Sequence, residues 1–130
     1  AQRIASKNIE ITVRGDLEAP LRCRSIQITQ VVMNLLSNAM FAIEELPEKK
    51  IIITVQKTPG HLDIAVQDSG SGIAPDVVER IMDPFFTTKA VGVGTGLGLS
   101  ISKGIVEGHG GKLFYRLNEG RTEFVMRFAA

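Results

Sequence analysis

The sequence predicts an α+β two-layer sandwich, a mixed β-sheet covered on one face by about three helices, in a single domain of 130 residues. Three observations carry that prediction. Apolar residues recur at helical spacing from Ser25 onward, two pairs of adjacent strands read at 50–68 and 112–128, and only 83–98 has the glycine-rich composition of a long loop.

Taken in order, residues 9–13 alternate apolar and polar and predict a short edge strand, followed by the turn signal Gly15-Asp16 and an extended piece at 21–24. From Ser25 the period changes. Ile28, Val32, Leu35, Ala39, Ala42 and Leu46 recur in steps of four and three, which marks one face of a helix ending before Pro47. "KIIITVQ" at 50–56 and "HLDIAVQD" at 61–68 flank a Pro59-Gly60 turn and predict an antiparallel hairpin whose second strand alternates strictly. On that strand Asp68 continues the face of Leu62, Ile64 and Val66. Pro75 opens a short helix to about Met82. A further helix spans about 97–107 and is stopped by Gly110-Gly111. Two closing strands at 112–117 and 122–128 turn through Asn118, Glu119 and Gly120.

A formal net charge of +1 leaves no basic surplus, so no nucleic-acid partner is expected. Cys23 is the sole cysteine, which excludes an internal disulfide and a multi-cysteine zinc site and fits a reducing compartment. "AQRIASKNIE" has no apolar h-region, and no run reaches the ~18 apolar residues of a membrane span. The expectation is therefore a cytoplasmic domain without membrane contact of its own, compatible with belonging to a larger membrane-anchored protein.

Four constellations point to chemistry, and each has a plainer reading. Asn34 and Asn38 lie four residues apart on one helical flank, at the rim of the core. A hard cation such as Mg²⁺ keeps several waters, so one amide oxygen beside phosphate oxygens suffices as the protein's share; otherwise both are polar border residues. In "DSGSGI", Asp68 to Ile73, a carboxylate continuing an apolar face needs a donor, for which the exocyclic amine of adenine is suited. Gly70 and Gly72 would let a flat ring lie against the backbone, although Asp-Ser-Gly is also an ordinary turn. "GTGLGLSIS" places Gly94, Gly96 and Gly98 at a helix start, where unpartnered N–H groups and the helix dipole favour phosphate. The spacing fails both G-x-G-x-x-G and the P-loop. Thr122 is the polar member of the strand face Phe124, Met126 and Phe128, placed to read an adenine edge with Asp68 or simply to favour the strand.

Together, Asn34 to Ala39, Asp68 to Ile73, Asp83 to Lys89 and Gly94 to Ser100 resemble, in order, the N, G1, F and G2 boxes of bacterial sensor histidine kinases. The similarity covers about residues 25–128. It implies the GHKL ATP-binding fold shared by type II topoisomerases, heat-shock chaperones and mismatch-repair ATPases. "DPFFTTK" followed by "GTGLGLSISKGIVEGHGGKL" looks most like nitrogen-regulation sensor kinases. On that resemblance ATP and Mg²⁺ are the cofactors. Asn38 would hold the magnesium, Asn34 would sit by the phosphates as a catalytic residue, and Asp68 would accept from the adenine amine. Gly70, Gly72, Ile73 and Thr122 would complete the adenine end, and Gly94, Thr95, Gly96, Leu97, Gly98 and Leu99 would wrap the triphosphate. Residues 83–98 would form an ATP lid, latched by Phe85 and Phe86, mobile between Thr87 and Gly96, and carrying Lys89 as a cationic helper.

Two positions refine the resemblance. The hydrolysing relatives place a glutamate four residues before the metal-binding asparagine, where this chain has Asn34. An amide cannot take a proton at neutral pH, so slow hydrolysis is expected, with phosphoryl transfer waiting for a positioned acceptor. Phe41 stands where many histidine kinases have lysine or aspartate. The phosphoacceptor histidine would lie on a separate, upstream helical dimerisation domain, and a response regulator would receive the phosphoryl group; His61 and His109 read as structural or surface histidines. Rival readings are a serine kinase of the anti-sigma type and a non-catalytic, nucleotide-gated interaction module.

Overall fold

Two periodicities, 3.6 for the helices and 2 for the strands, sort the apolar residues of this chain onto one shared interface. The computed structural model describes residues 2–4, 9–16, 24–83 and 98–129, the first of these by backbone alone. Six strands form one mixed sheet: β1 (Gln2–Ile4), β2 (Ile9–Gly15), β3 (Lys50–Thr58), β4 (His61–Asp68), β5 (Lys112–Asn118) and β6 (Arg121–Ala129). Their spatial order is β1-β2-β3-β4-β6-β5. Only β2 and β3 run parallel, and the crossover between them is α1 (Ser25–Ala42), the route a parallel pair requires. The β2 strand is therefore not an edge, because β1 pairs with it antiparallel from Gln2↔Ile11 to Ile4↔Ile9. Three residues are too few to show a period, which hid β1 in the sequence.

The buried stripe of α1 is Ile28, Val31, Leu35 and Ala39. Val31 takes the place expected of Val32, and Ile43, completely buried, takes that expected of Ala42. The helix also ends before the expected 46. Pro47 disfavours helical backbone at Leu46, and the chain tightens into i→i+3 bonds from Glu44 N–H to Phe41 O (3.3 Å) and from Leu46 N–H to Ile43 O (3.0 Å). The second helix is shortened in the same way. Regular helix is confined to α2 (Pro75–Val78), after which Arg80 N–H bonds Val77 O and Asp83 N–H bonds Arg80 O.

α3 (Gly98–Gly108) packs antiparallel to α1 and covers β5. Its C-terminus closes through Gly110, at φ +74°, with Gly110 N–H on Glu107 O and Gly111 N–H on Val106 O, both 2.9 Å. That short reversal sends α3 and β5 in opposite directions, so the start of α3 lies over the end of β5. The turn between β5 and β6 is two residues, Glu119 and Gly120, both at positive φ as a tight hairpin requires.

β4 does not alternate strictly, since Leu62, Asp63, Ala65 and Val66 are all buried. Its second face is closed by ion pairs with the neighbouring strands. Arg127 makes two 2.9 Å bonds to Asp63, Arg116 Nε lies 2.7 Å from Glu123, and the Arg127 guanidinium sits 5.1 Å from the Phe114 ring centre. Among the described residues no helix is long and apolar enough to cross a membrane. The expected strand at 21–23, Cys23, and most of the expected lid, with Phe85, Phe86 and Lys89, lie outside the described residues; so do Gly94, Thr95, Gly96 and Leu97.

Candidate functional site

One end of the sandwich collects the candidate residues. The end of β4, the start of β6 and the end of β5 meet there, and the antiparallel course of α3 brings its first turn over them. α1 contributes Asn34, whose amide NH₂ donates to Ser102 Oγ at 3.2 Å and to Gly98 O at 3.5 Å. Asn34 and Asn38 are half-buried, at the rim that their helical phase predicted. Gly98 and Leu99 occupy the first positions of α3. The first N–H groups of any helix lack intrahelical acceptors, which makes a helix start a favourable place for an anion.

Asp68 ends β4 with 5% of its surface exposed. Its Oδ1 accepts the Gly70 N–H at 2.7 Å, which is the local turn of the plainer reading. Burial pushes its carboxyl above the ordinary 3.8, and the Gly70 hydrogen bond pulls in the other direction. A buried carboxylate of this kind retains acceptor capacity for a ligand donor.

Thr122, buried at the start of β6, holds the same loop from the far side. Its Oγ1 accepts the Gly72 N–H at 2.9 Å, and its own N–H donates to Gly70 O at 3.1 Å. The glycines answer first to the protein. A Cβ on Gly70 would stand 2.8 Å from Asp68 Oδ1, and one on Gly72, at φ +111°, 2.9 Å from Leu117 Cδ2. Ile73 packs its side chain against the core.

Three residues at this end or joined to it were not singled out from the sequence. Ser102, completely buried on α3, accepts from Asn34 and so ties the two helices. Tyr115 accepts the Ile73 N–H at 3.0 Å. Its signal was available, because Tyr115 stands between Leu113 and Leu117 on an apolar strand face as Thr122 stands beside Phe124. Glu123, on the opposite face, is buried and accepts from Arg116 Nε and Asn118 Nδ2.

At the other end of the helix pair, His109 receives the Arg24 N–H on Nε2 at 3.0 Å and places Nδ1 2.9 Å from Ile105 O. A backbone N–H only donates and a carbonyl only accepts, so Nδ1 carries the proton and both ring nitrogens are engaged. Among the described residues no group of three or more His, Cys, Asp or Glu side chains could hold a metal ion.

The family model described as "Histidine kinase-, DNA gyrase B-, and HSP90-like ATPase" matches residues 23–130. The two-component sensor PprA of Pseudomonas aeruginosa is 43% identical over 98 residues, covering 72% of this chain and 11% of that protein. The sensor histidine kinase ZraS of Salmonella typhi is 45% identical over 98 residues, covering 73% and 20%. The chain thus spans a fifth or less of the length of these curated relatives. The nucleotide-free catalytic domain of histidine kinase ThkA superposes with a TM-score of 0.82 at 35% identity, covering 96% of this chain and 81% of that one. ThkA in complex with the response regulator protein TrrA gives 0.75 at 33%, over 96% and 35%. Full-length ShkA in complex with AMPPNP gives 0.78 at 27%, over 97% and 27%.

Proposed function

The chain belongs to the histidine kinase-, DNA gyrase B- and HSP90-like ATPase family, and from that premise we propose that it is the ATP-binding catalytic domain of a two-component sensor histidine kinase. The observation that carries the reading is the pairing at one end of the fold. A buried, single-hydrogen-bonded Asp68 suits an amine-bearing base, and the first turn of α3, tied to Asn34, suits an anion.

The residues fit the nucleotide and its metal. Asp68 would accept from the adenine amine, with Thr122 and the loop 70–73 holding that acceptor in place. Asn38, at the rim of α1, would contribute an amide oxygen of the kind Mg²⁺ takes when nucleotide phosphates supply the rest. Bound Mg·ATP supplies the transferable γ-phosphoryl group. The chain's share is to hold it in line and stabilise its charge. Asn34 positions α3 through Ser102 and has no base to give to water, so hydrolysis stays slow and phosphoryl transfer waits for an acceptor to dock. That acceptor would be a histidine on a separate helical dimerisation domain of the parent protein. A response regulator would then take the phosphoryl group, as the structural relative bound to TrrA suggests by analogy.

Calorimetric titration of the domain with Mg·ATP, alongside a phosphate-release assay, tests this. The expected result is magnesium-dependent binding with little steady turnover; absence of binding, or rapid phosphate release, would overturn it.

A further inference from the structure

We propose that Tyr115 is a positioning residue for the base end of the nucleotide site, an inference that rests on the functional reading above and deepens it. The loop after β4 has no ladder of its own, so its N–H groups need other acceptors. Three are met by side chains. Gly70 N–H goes to Asp68 Oδ1 (2.7 Å), Gly72 N–H to Thr122 Oγ1 (2.9 Å) and Ile73 N–H to the Tyr115 hydroxyl (3.0 Å). The first two acceptors belong to residues already assigned to the site; the third comes from β5, the strand at the far edge of the sheet from β1.

Tyr115 is a stiff arm. Its ring lies 5.7 Å from that of Phe124, tilted by 52°, and packs against the core cluster. The hydroxyl meets the loop closely enough that a Cβ on Gly72 would stand 3.2 Å from it. Loss of the hydroxyl would leave the Ile73 N–H without its acceptor and free the half of the loop that Asp68 and Thr122 do not reach. The site would then present its acceptor carboxylate beside a wall of uncertain height. Because the hydroxyl acts at the base end, its loss should weaken every adenine nucleotide by one common factor, whatever the number of phosphates.

Tyr115→Phe removes the oxygen and keeps the ring. Titration of the variant with ADP and with Mg·ATP is expected to show both affinities reduced by about fivefold, the net worth of one hydrogen bond. Faster amide exchange at Ile73 in the empty domain should accompany the loss, with the magnesium dependence unchanged. Unchanged affinity in a variant with a lowered Tm would make the hydroxyl a structural strut and overturn the proposal. A loss confined to ATP would overturn it as well. A wild-type domain that binds neither nucleotide would instead sink the functional reading, and this one with it.

Discussion

The two ends of the α1–α3 pair are built in opposite ways. At the end away from the candidate site, His109 bridges Ile105 O and the Arg24 N–H, and Gly110 and Gly111 satisfy the last carbonyls of α3. The polar groups named there are satisfied by the protein itself. At the site end, Asn34 fixes the spacing of the helices through Ser102 and Gly98 O, yet it supplies no acceptor to the first N–H groups of α3. A donor Asn amide aimed at a carbonyl and a hydroxyl holds the helices together at the turn that the proposed function gives to the phosphates. On the proposed function, the contrast assigns stability and binding to different ends of the same two helices, a division that variants can test.

The largest expected effect separates the two directly. Asp68→Asn should lower nucleotide affinity by about 10- to 100-fold, the range for losing a charged acceptor, as measured by calorimetry. Its empty-state stability should hold or rise, because a buried carboxylate is replaced by a neutral amide. His109→Ala should do the reverse: a loss of about 1–3 kcal/mol in denaturant unfolding, with affinity per folded molecule almost unchanged. If His109→Ala abolished binding in a folded domain, the division between the ends would fail. Thr122→Val leaves the Gly72 N–H without its acceptor and should cost up to about tenfold in affinity for ADP and ATP alike.

The smallest effect is in pH. Asp68 titrates above its ordinary 3.8 because burial disfavours the charged form. The folded state therefore holds this proton more tightly than the unfolded chain. Its contribution to stability is fully present below 3.8 and is lost as pH rises through the raised value. Wild type should gain stability relative to Asp68→Asn on acidification, while nucleotide affinity, which needs the carboxylate, declines. Paired unfolding and binding curves across that window check both signs; curves that move together would contradict them.

The sequence made some of this legible and hid the rest for physical reasons. Asp68 and Thr122 are polar residues on apolar strand faces, a pattern visible without any partner, and both are buried at one end of the sheet. Ser102 matters through Asn34, 68 residues away, so nothing local could reveal it; the position of Tyr115 on an apolar strand face was visible, but its partner Ile73, 42 residues away, was not. Gly72 was read as making room for a ring, yet Leu117 and Tyr115 already require it. The stripe of α1 was placed correctly at Ile28, Leu35 and Ala39, but of the adjacent valines it took Val32 where Val31 is the buried one, since both spacings suit a helix. Asp63 and Glu123 carried no signal of burial in the sequence, because only the neighbouring strands reveal their arginine partners.

The central claim is that this site holds Mg·ATP for transfer to a histidine rather than to water. Incubation of the full-length protein with γ-labelled Mg·ATP tests it most directly. The predicted result is an acid-labile, alkali-stable label on a histidine outside this domain, absent in Asp68→Asn. Label on a serine, or ATP binding with no label in an intact parent protein, would contradict the account.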